Sequence, residues 1–90
     1  MIYTMEKKKL KIGVIGLGPV GQILAVHFNL AGCEIAVTDL DREKLNLIRK
    51  HGIELVGVIE KKSFFKYVYY SIEEMMQNKF DILILSLIHI

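Results

Sequence analysis

Short apolar runs alternate along the chain with stretches in which apolar residues recur every three or four positions, a pattern that predicts a β-α-β-α start. Lys11-Ile12-Gly13-Val14-Ile15 is a compact apolar run ending at glycines, as suits a strand buried on both faces. From Pro19 to Ala31 the residues Val20, Ile23, Leu24, Phe28 and Ala31 fall at helical spacing, so a helix with that face inward is expected. Pro19 has the φ that a helix start favours, and Gly32 suits the left-handed position just past the end. Glu34 to Asp39 reads as a second apolar strand. Asp41 then caps a helix through about His51, with Leu45 and Ile48 inward and Gly52 as the stop.

The period changes after Gly52. Ile53 to Tyr70 has no helical repeat but is rich in β-branched and aromatic residues, which predicts two short strands broken around Glu60-Lys61-Lys62. Ser71-Ile72-Glu73-Glu74 fits a capping box, in which the Ser71 hydroxyl and the Glu74 carboxylate each bond an otherwise orphaned N–H, and a short helix to about Asn78 follows. Ile82-Leu83-Ile84-Leu85 is an unbroken apolar run of the kind found in parallel strands. The fold class expected is α/β: a Rossmann-type, doubly wound, mostly parallel sheet, incomplete, with strand order 3-2-1-4 and helices on both faces. The last strand then lies at an edge, beside the first and opposite the second.

Between the first strand and the first helix stands Gly16-Leu17-Gly18-Pro19-Val20-Gly21, a G-x-G-x-x-G string. Its setting gives it meaning, because it follows a predicted strand, opens a predicted helix, and precedes an acidic residue, Asp39, by 23 positions counted from Gly16, near the roughly 20 of dinucleotide-binding units. Gly16 permits the tight turn, Gly18 lets backbone approach a pyrophosphate, and Gly21 lets the helix lie close on the sheet. The unpaired N–H groups of the helix start, around Gly18 to Val20, would bind the phosphates. Asp39 would accept from the adenosine ribose hydroxyls and favour NAD over NADP. Arg42 could neutralise a 2′-phosphate if its loop turns that way. The cofactor expected is NAD(P)(H). A glycine turn that only packs a βα unit is the plainer alternative; a P-loop is excluded, since no Gly-Lys-Ser/Thr follows.

Composition narrows the partners. With 90 residues, 52% hydrophobic and 24% charged, the chain is one domain or part of one. Lys7, Lys8, Lys9 and Lys11 account for the excess of 12 basic over 10 acidic residues, so no basic face for nucleic acid is expected. A lone Cys33 allows no internal disulfide and no cysteine metal site, and reads as a small buried filler in a cytoplasmic protein. Lys7 to Cys33 imitates a lipoprotein signal, but Gln22, His27 and four glycines interrupt its apolar core. No apolar run spans a bilayer, so no membrane partner is expected. His27 reads as a packing or surface residue, His51 as a helix-end cation, Met75 and Met76 as core, and Lys61, Lys62 and Lys66 as a solvated face.

From Lys11 to about Leu85 the sequence resembles the N-terminal half of the ketopantoate reductase (2-dehydropantoate 2-reductase) family. The resemblance rests on Lys11 to Gly21, on Leu47-Ile48-Arg49-Lys50-His51-Gly52-Ile53 leading into Leu55-Val56-Gly57, and on the capped helix before Phe80-Asp81-Ile82-Leu83-Ile84-Leu85-Ser86. It implies antiparallel strands in place of the usual third crossover, and hydride transfer from a nicotinamide cofactor to a 2-keto acid such as ketopantoate, giving pantoate. Opine and glycerol-3-phosphate dehydrogenases share much of this pattern. A nucleotide-sensing domain of the potassium-transporter type is the non-enzymatic alternative, although Gly57-Val58-Ile59-Glu60 lacks the Gly-Asp pair typical there. The family's catalytic Lys and most substrate-orienting residues belong to a C-terminal helical domain, and its strand-end Lys is replaced here by Ile88. No catalytic residue is therefore assigned, the keto-acid substrate belongs to a full-length parent, and the chain alone is expected to be inactive. Leu85-Ser86-Leu87-Ile88-His89-Ile90 is also the translation of CTG TCT CTT ATA CAC ATC, a transposase end used in DNA library preparation. The organisation expected is an N-terminal extension over 1–10, a partial dinucleotide-binding domain over 11–84, and an adapter-derived tail over 85–90.

Overall fold

The computed structural model of the chain describes residues 9–57 and 60–86. Nine elements follow in order: β1 (Lys11–Ile15), α1 (Pro19–Leu30), β2 (Glu34–Thr38), α2 (Arg42–His51), β3 (Ile53–Leu55), β4 (Lys61–Ser63), β5 (Tyr67–Val68), α3 (Ile72–Met75) and β6 (Ile82–Leu85). The main sheet has the order β5-β2-β1-β6, with every pairing parallel. Thus β1 is central, β6 lies on its far side from β2, and β5 takes the third place of the expected order.

Side chains alternate across this sheet, and each face meets different helices. Ile12, Val14, Ile35 and Val37 join Ala25 and Val26 of α1 and Leu45 and Ile48 of α2 in one buried cluster. On the opposite face, Gly13 lies beneath Met75 of α3 and Phe80, both within van der Waals reach of a Cβ placed there. Ala36, its partner across the β1–β2 register, shares that face. Helices therefore cover both faces, as a doubly wound sheet requires.

The inward stripe of α1 differs from the predicted one. Gly21, Ala25 and Val26 are buried, whereas Val20 is 61% exposed, Ile23 46% exposed and Ala31 exposed. A helix that packs tightly on a sheet turns small residues toward it, and a pattern of large apolar residues selects the neighbouring stripe instead. The helix end is as expected: Gly32 has φ +96, its N–H donates to the Asn29 carbonyl, and the Cys33 N–H donates to the Phe28 carbonyl, a Schellman motif. Cys33 is half-buried against the core rather than enclosed within it.

The segment after α2 holds three strands rather than two. β3 and β4 form an antiparallel hairpin outside the main sheet, while β5 joins the sheet. Lys61 and Lys62, expected to break the strands, lie within β4, opposite Leu55 and Glu54 in register; both are exposed, and the Lys62 ammonium lies 5.2 Å from the ring centroid of Phe64. The break falls earlier, beyond Leu55, where Val58 and Ile59 lie outside the described residues. Asn29 of α1 anchors the hairpin by donating to the Ser63 hydroxyl and, at 2.8 Å, to the Phe64 carbonyl.

Ser71 caps α3 by accepting from the Glu74 N–H at 3.1 Å, and the reciprocal Glu74 bond is not seen among the described residues. α3 stops at Met75, short of Asn78, because i→i+3 bonds close the turn there: Gln77 N–H donates to Glu74 and Asn78 N–H to Met75. Met75 is fully buried, but Met76 is 47% exposed. β6 has only β1 as neighbour among the described strands, and Ile82, Leu83 and Leu85 are exposed. Leu85 pairs with Ile15, and Ser86 N–H donates to the Ile15 carbonyl, so these residues continue the sheet; Leu87 to Ile90 lie outside the described residues.

Met75 is the main side chain filling the α3 face, so Met75→Ala should destabilise the chain by about 2–5 kcal/mol, read as a lower urea midpoint at unchanged slope.

Candidate functional site

The carboxyl ends of β1, β2 and β6 converge on one cavity of about 390 Å³, lined by Ile15, Gly16, Thr38, Asp39, Leu40, Tyr70, Ser71, Ile72, Leu85 and Ser86. In open α/β sheets this end is where ligands bind, because the loops that leave the strands diverge around a crevice. Two other cavities lie elsewhere, one of about 160 Å³ near Lys11 and Glu34 at the opposite strand ends, and one of about 460 Å³ between α1 and the hairpin. Neither touches Gly16 or Asp39.

The three glycines of the motif have different physical roles. Gly16 has φ +95, and a Cβ there would also overlap the Ser86 carbonyl oxygen. Gly21 has an ordinary helical position, yet a Cβ on it would overlap the Gly16 carbonyl oxygen, so its absence allows α1 to touch the turn. Gly18 differs from both: its φ of −73 suits any residue, and a Cβ on it would meet nothing within 4 Å. Neither conformation nor packing demands glycine at 18, which leaves open space above the loop as the one thing its missing side chain provides.

Gly18 is the N-cap of α1, and no side chain caps that end. By contrast Asp41 caps α2 and Ser71 caps α3. Pro19 contributes no N–H, and Gln22 N–H already bonds the Gly18 carbonyl, so the first-turn donors left for a ligand are those around Gly18, Val20 and Gly21. Their alignment with the helix dipole favours an anion. Val20 itself is exposed beside them.

Asp39 follows β2 at the rim, as the sequence predicts, but its carboxylate is turned inward. Oδ2 accepts from the Leu17 N–H at 2.6 Å, Oδ1 accepts from the Asp41 N–H at 2.8 Å, and the Lys44 ammonium lies 3.8 Å from Oδ2. Burial alone would raise its pKa; the N–H groups of Asp41 and Leu17, the Lys44 charge and the Leu40 N–H outweigh it and hold the carboxyl below the ordinary 3.8. Arg42, the first residue of α2, is exposed, with its guanidinium 5.1 Å from the ring centroid of Tyr70. Tyr70 lines the cavity and donates its hydroxyl to Asn46 Oδ1 at 2.6 Å.

Thr38, Gln22 and Lys44 are site residues that the sequence pattern does not reveal. The Thr38 hydroxyl is buried and has no hydrogen-bond partner among the described residues, although Thr38 lines the cavity. Gln22 and Lys44 bond the Leu17 carbonyl, at 2.9 Å and 3.1 Å. A glutamine and a lysine near helix starts read in sequence as solvated, and no spacing signal distinguishes them. His27 and His51 stand outside this cavity.

An open crevice at parallel strand ends, a glycine at 18 with empty space above it and an uncapped helix start together fit a dinucleotide; fold and site define an α/β domain of the dinucleotide-binding class. The profile of the ketopantoate reductase PanE/ApbA family matches residues 12–87, and the chain belongs to that family. Its coarse character follows, namely a dinucleotide-binding domain of NAD(P)-dependent reductase type. Comparison with curated proteins and with solved structures gives no significant match. Among the described residues no helix is long and apolar enough to cross a membrane, and no cluster of His, Cys, Asp and Glu could hold a metal ion.

Two stability predictions follow from this geometry. Gly21→Ser should destabilise by several kcal/mol, on the order of the largest single-residue effects, because backbone rather than a flexible side chain blocks the new Cβ, whereas Gly18→Ser should stay within about 0.5 kcal/mol. Thermal melts of the two variants check the contrast. Because the folded pKa of Asp39 lies below its unfolded value, its contribution is fully present above pH 3.8 and is lost as pH falls through the folded value. The stability gap between the parent and Asp39→Asn, read by urea denaturation from about pH 6 to about pH 3, should therefore narrow on acidification.

Proposed function

We propose that the chain binds a nicotinamide dinucleotide across the Gly16–Gly21 turn and serves as the dinucleotide-binding domain of a 2-keto acid reductase, with ketopantoate reduction to pantoate as the reaction class its family membership favours. The observation that carries the binding reading is Gly18, whose missing side chain serves neither the backbone nor the packing. The cofactor supplies the hydride when bound. The chain's own contribution is to bind and orient: Gly18, Val20 and Gly21 present N–H groups to the pyrophosphate, Gly16 and Pro19 shape the turn, and Leu17 holds it by burying its side chain in the core. The cavity beside Asp39, walled by Leu40, Tyr70 and Ile72, accommodates the adenosine half.

The choice between NAD and NADP turns on Asp39. A free carboxylate facing the ribose would repel a 2′-phosphate, but this one already accepts from the Leu17 and Asp41 N–H groups and lies beside the Lys44 ammonium. Its ribose role then rests on the lone pairs those bonds leave, and the repulsion is largely compensated. Arg42, exposed with its guanidinium over the ring of Tyr70, which lines the cavity, adds a positive charge nearby.

Titration of the chain with NADPH and NADH, followed by fluorescence, tests both points. Binding is expected for both, with affinities within about tenfold of each other because the compensated Asp39 charge discriminates weakly. Gly18→Val should abolish binding while the melt is retained. Equal binding by Gly18→Val and the parent would remove the glycine turn from the site.

A further inference from the structure

Leu17 sits between two peptide groups, and each is held by a different partner. The N–H on its amino side donates to Asp39 Oδ2 at 2.6 Å. The carbonyl on its carboxyl side accepts from Gln22 Nε2 at 2.9 Å and from Lys44 Nζ at 3.1 Å. The side chain between them is completely buried. Both backbone torsions of Leu17 are thus fixed by side chains from β2's end, α1 and α2.

The direction of that carbonyl has a consequence for its neighbour. In a planar trans peptide the C=O and the following N–H point opposite ways. Drawing the Leu17 carbonyl toward Lys44 and Gln22 therefore aims the Gly18 N–H away from them, and that N–H has no acceptor among the described residues. An ammonium on the carbonyl oxygen also polarises the amide and strengthens its N–H as a donor. Lys44 is only partly buried, with 31% of its side chain exposed, and the pairing with Asp39 at 3.8 Å holds its ammonium over the turn.

We propose that Lys44 is a positioning residue for phosphate capture, fixing and polarising the Leu17–Gly18 peptide so that the Gly18 N–H is aimed at the pyrophosphate before the dinucleotide arrives. The proposal rests on the dinucleotide reading and adds to it a loop ordered in advance by a residue outside the glycine motif. Preorganisation of this kind raises affinity by removing the ordering cost from the binding step.

Lys44→Met, Lys44→Arg and Gln22→Leu, each checked by thermal melt, would be titrated with NADPH, and amide exchange at Gly18 would be followed by NMR in the ligand-free chain. Lys44→Met should weaken NADPH binding by about tenfold and speed Gly18 exchange without ligand, with Lys44→Arg restoring most of both. Because Lys44 and Gln22 hold the same oxygen, the Lys44→Met, Gln22→Leu double variant should lose a different amount from the sum of the singles. Weaker binding by Lys44→Met with Gly18 exchange unchanged would make Lys44 a direct phosphate charge and overturn the proposal, as would strict additivity. Parent-like binding by Lys44→Met overturns it while leaving the dinucleotide reading intact; a parent chain that binds no NADPH overturns both. Should Lys44→Met fail to fold, Lys44→Gln is titrated in its place, and parent-like affinity with parent-like Gly18 exchange in that variant overturns the proposal.

Discussion

The contact between Gly21 and the Gly16 carbonyl is the constraint on which the rest of the site depends. Only with hydrogen in place of a side chain can the first turn of α1 rest on the turn that leaves β1. That approach sets the helix start, with its free N–H groups, against the turn at the carboxyl end of β1. It also explains the small-residue stripe of α1, where Gly21 and Ala25 are buried and the larger Val20 and Ile23 are not. A helix held one side chain further away would leave the crevice wider.

Electrostatics then does in the loop what packing does in the core. Asp39 is a buried carboxylate, and such a group is sustained only when its oxygens are bonded and its charge is balanced. The Leu17 and Asp41 N–H groups and the Lys44 ammonium meet that requirement, and each comes from a different part of the fold: the glycine turn, the N-cap of α2 and the first turn of α2. Asp39 therefore ties the end of β2 to the glycine turn and to α2. The same bonds draw its charge inward, which is why an acidic residue in this place says less about the ribose than its position in sequence suggests.

The two faces of the sheet are unequally covered. The face under α1 and α2 holds the main cluster, whereas α3 has four residues and covers the other face chiefly through Met75, with Phe80 beside it. Toward β6 that cover ends, and Leu83 and Leu85 on this face are exposed. Leu85 and Ser86 nevertheless close one wall of the crevice, so the edge strand contributes to the site even where it contributes little to the core.

What the sequence determined by itself was the set of elements with strong local signals: the apolar runs of β1, β2 and β6, the glycine turn, the Asp41 and Ser71 caps, and the stops at Gly32 and Gly52. These depend on short-range sterics and hydrogen bonds, which neighbouring residues are enough to specify. The parallel order with β1 beside β2 was legible too, because alternating strands and helices around a glycine turn imply the doubly wound arrangement. Tertiary structure decided which residues of α1 face inward besides Gly21, since closeness of approach rather than hydrophobicity selects Ala25 over Ile23. It decided that Lys61 and Lys62 sit in a strand, since Glu54 faces Lys62 only once the hairpin has formed. It also decided the roles of Asp39, Gln22 and Lys44, because a charged or amide side chain near a helix start looks solvated until the fold brings a backbone group within hydrogen-bonding distance. The Leu17 peptide groups, to which all three bond, supply that partner.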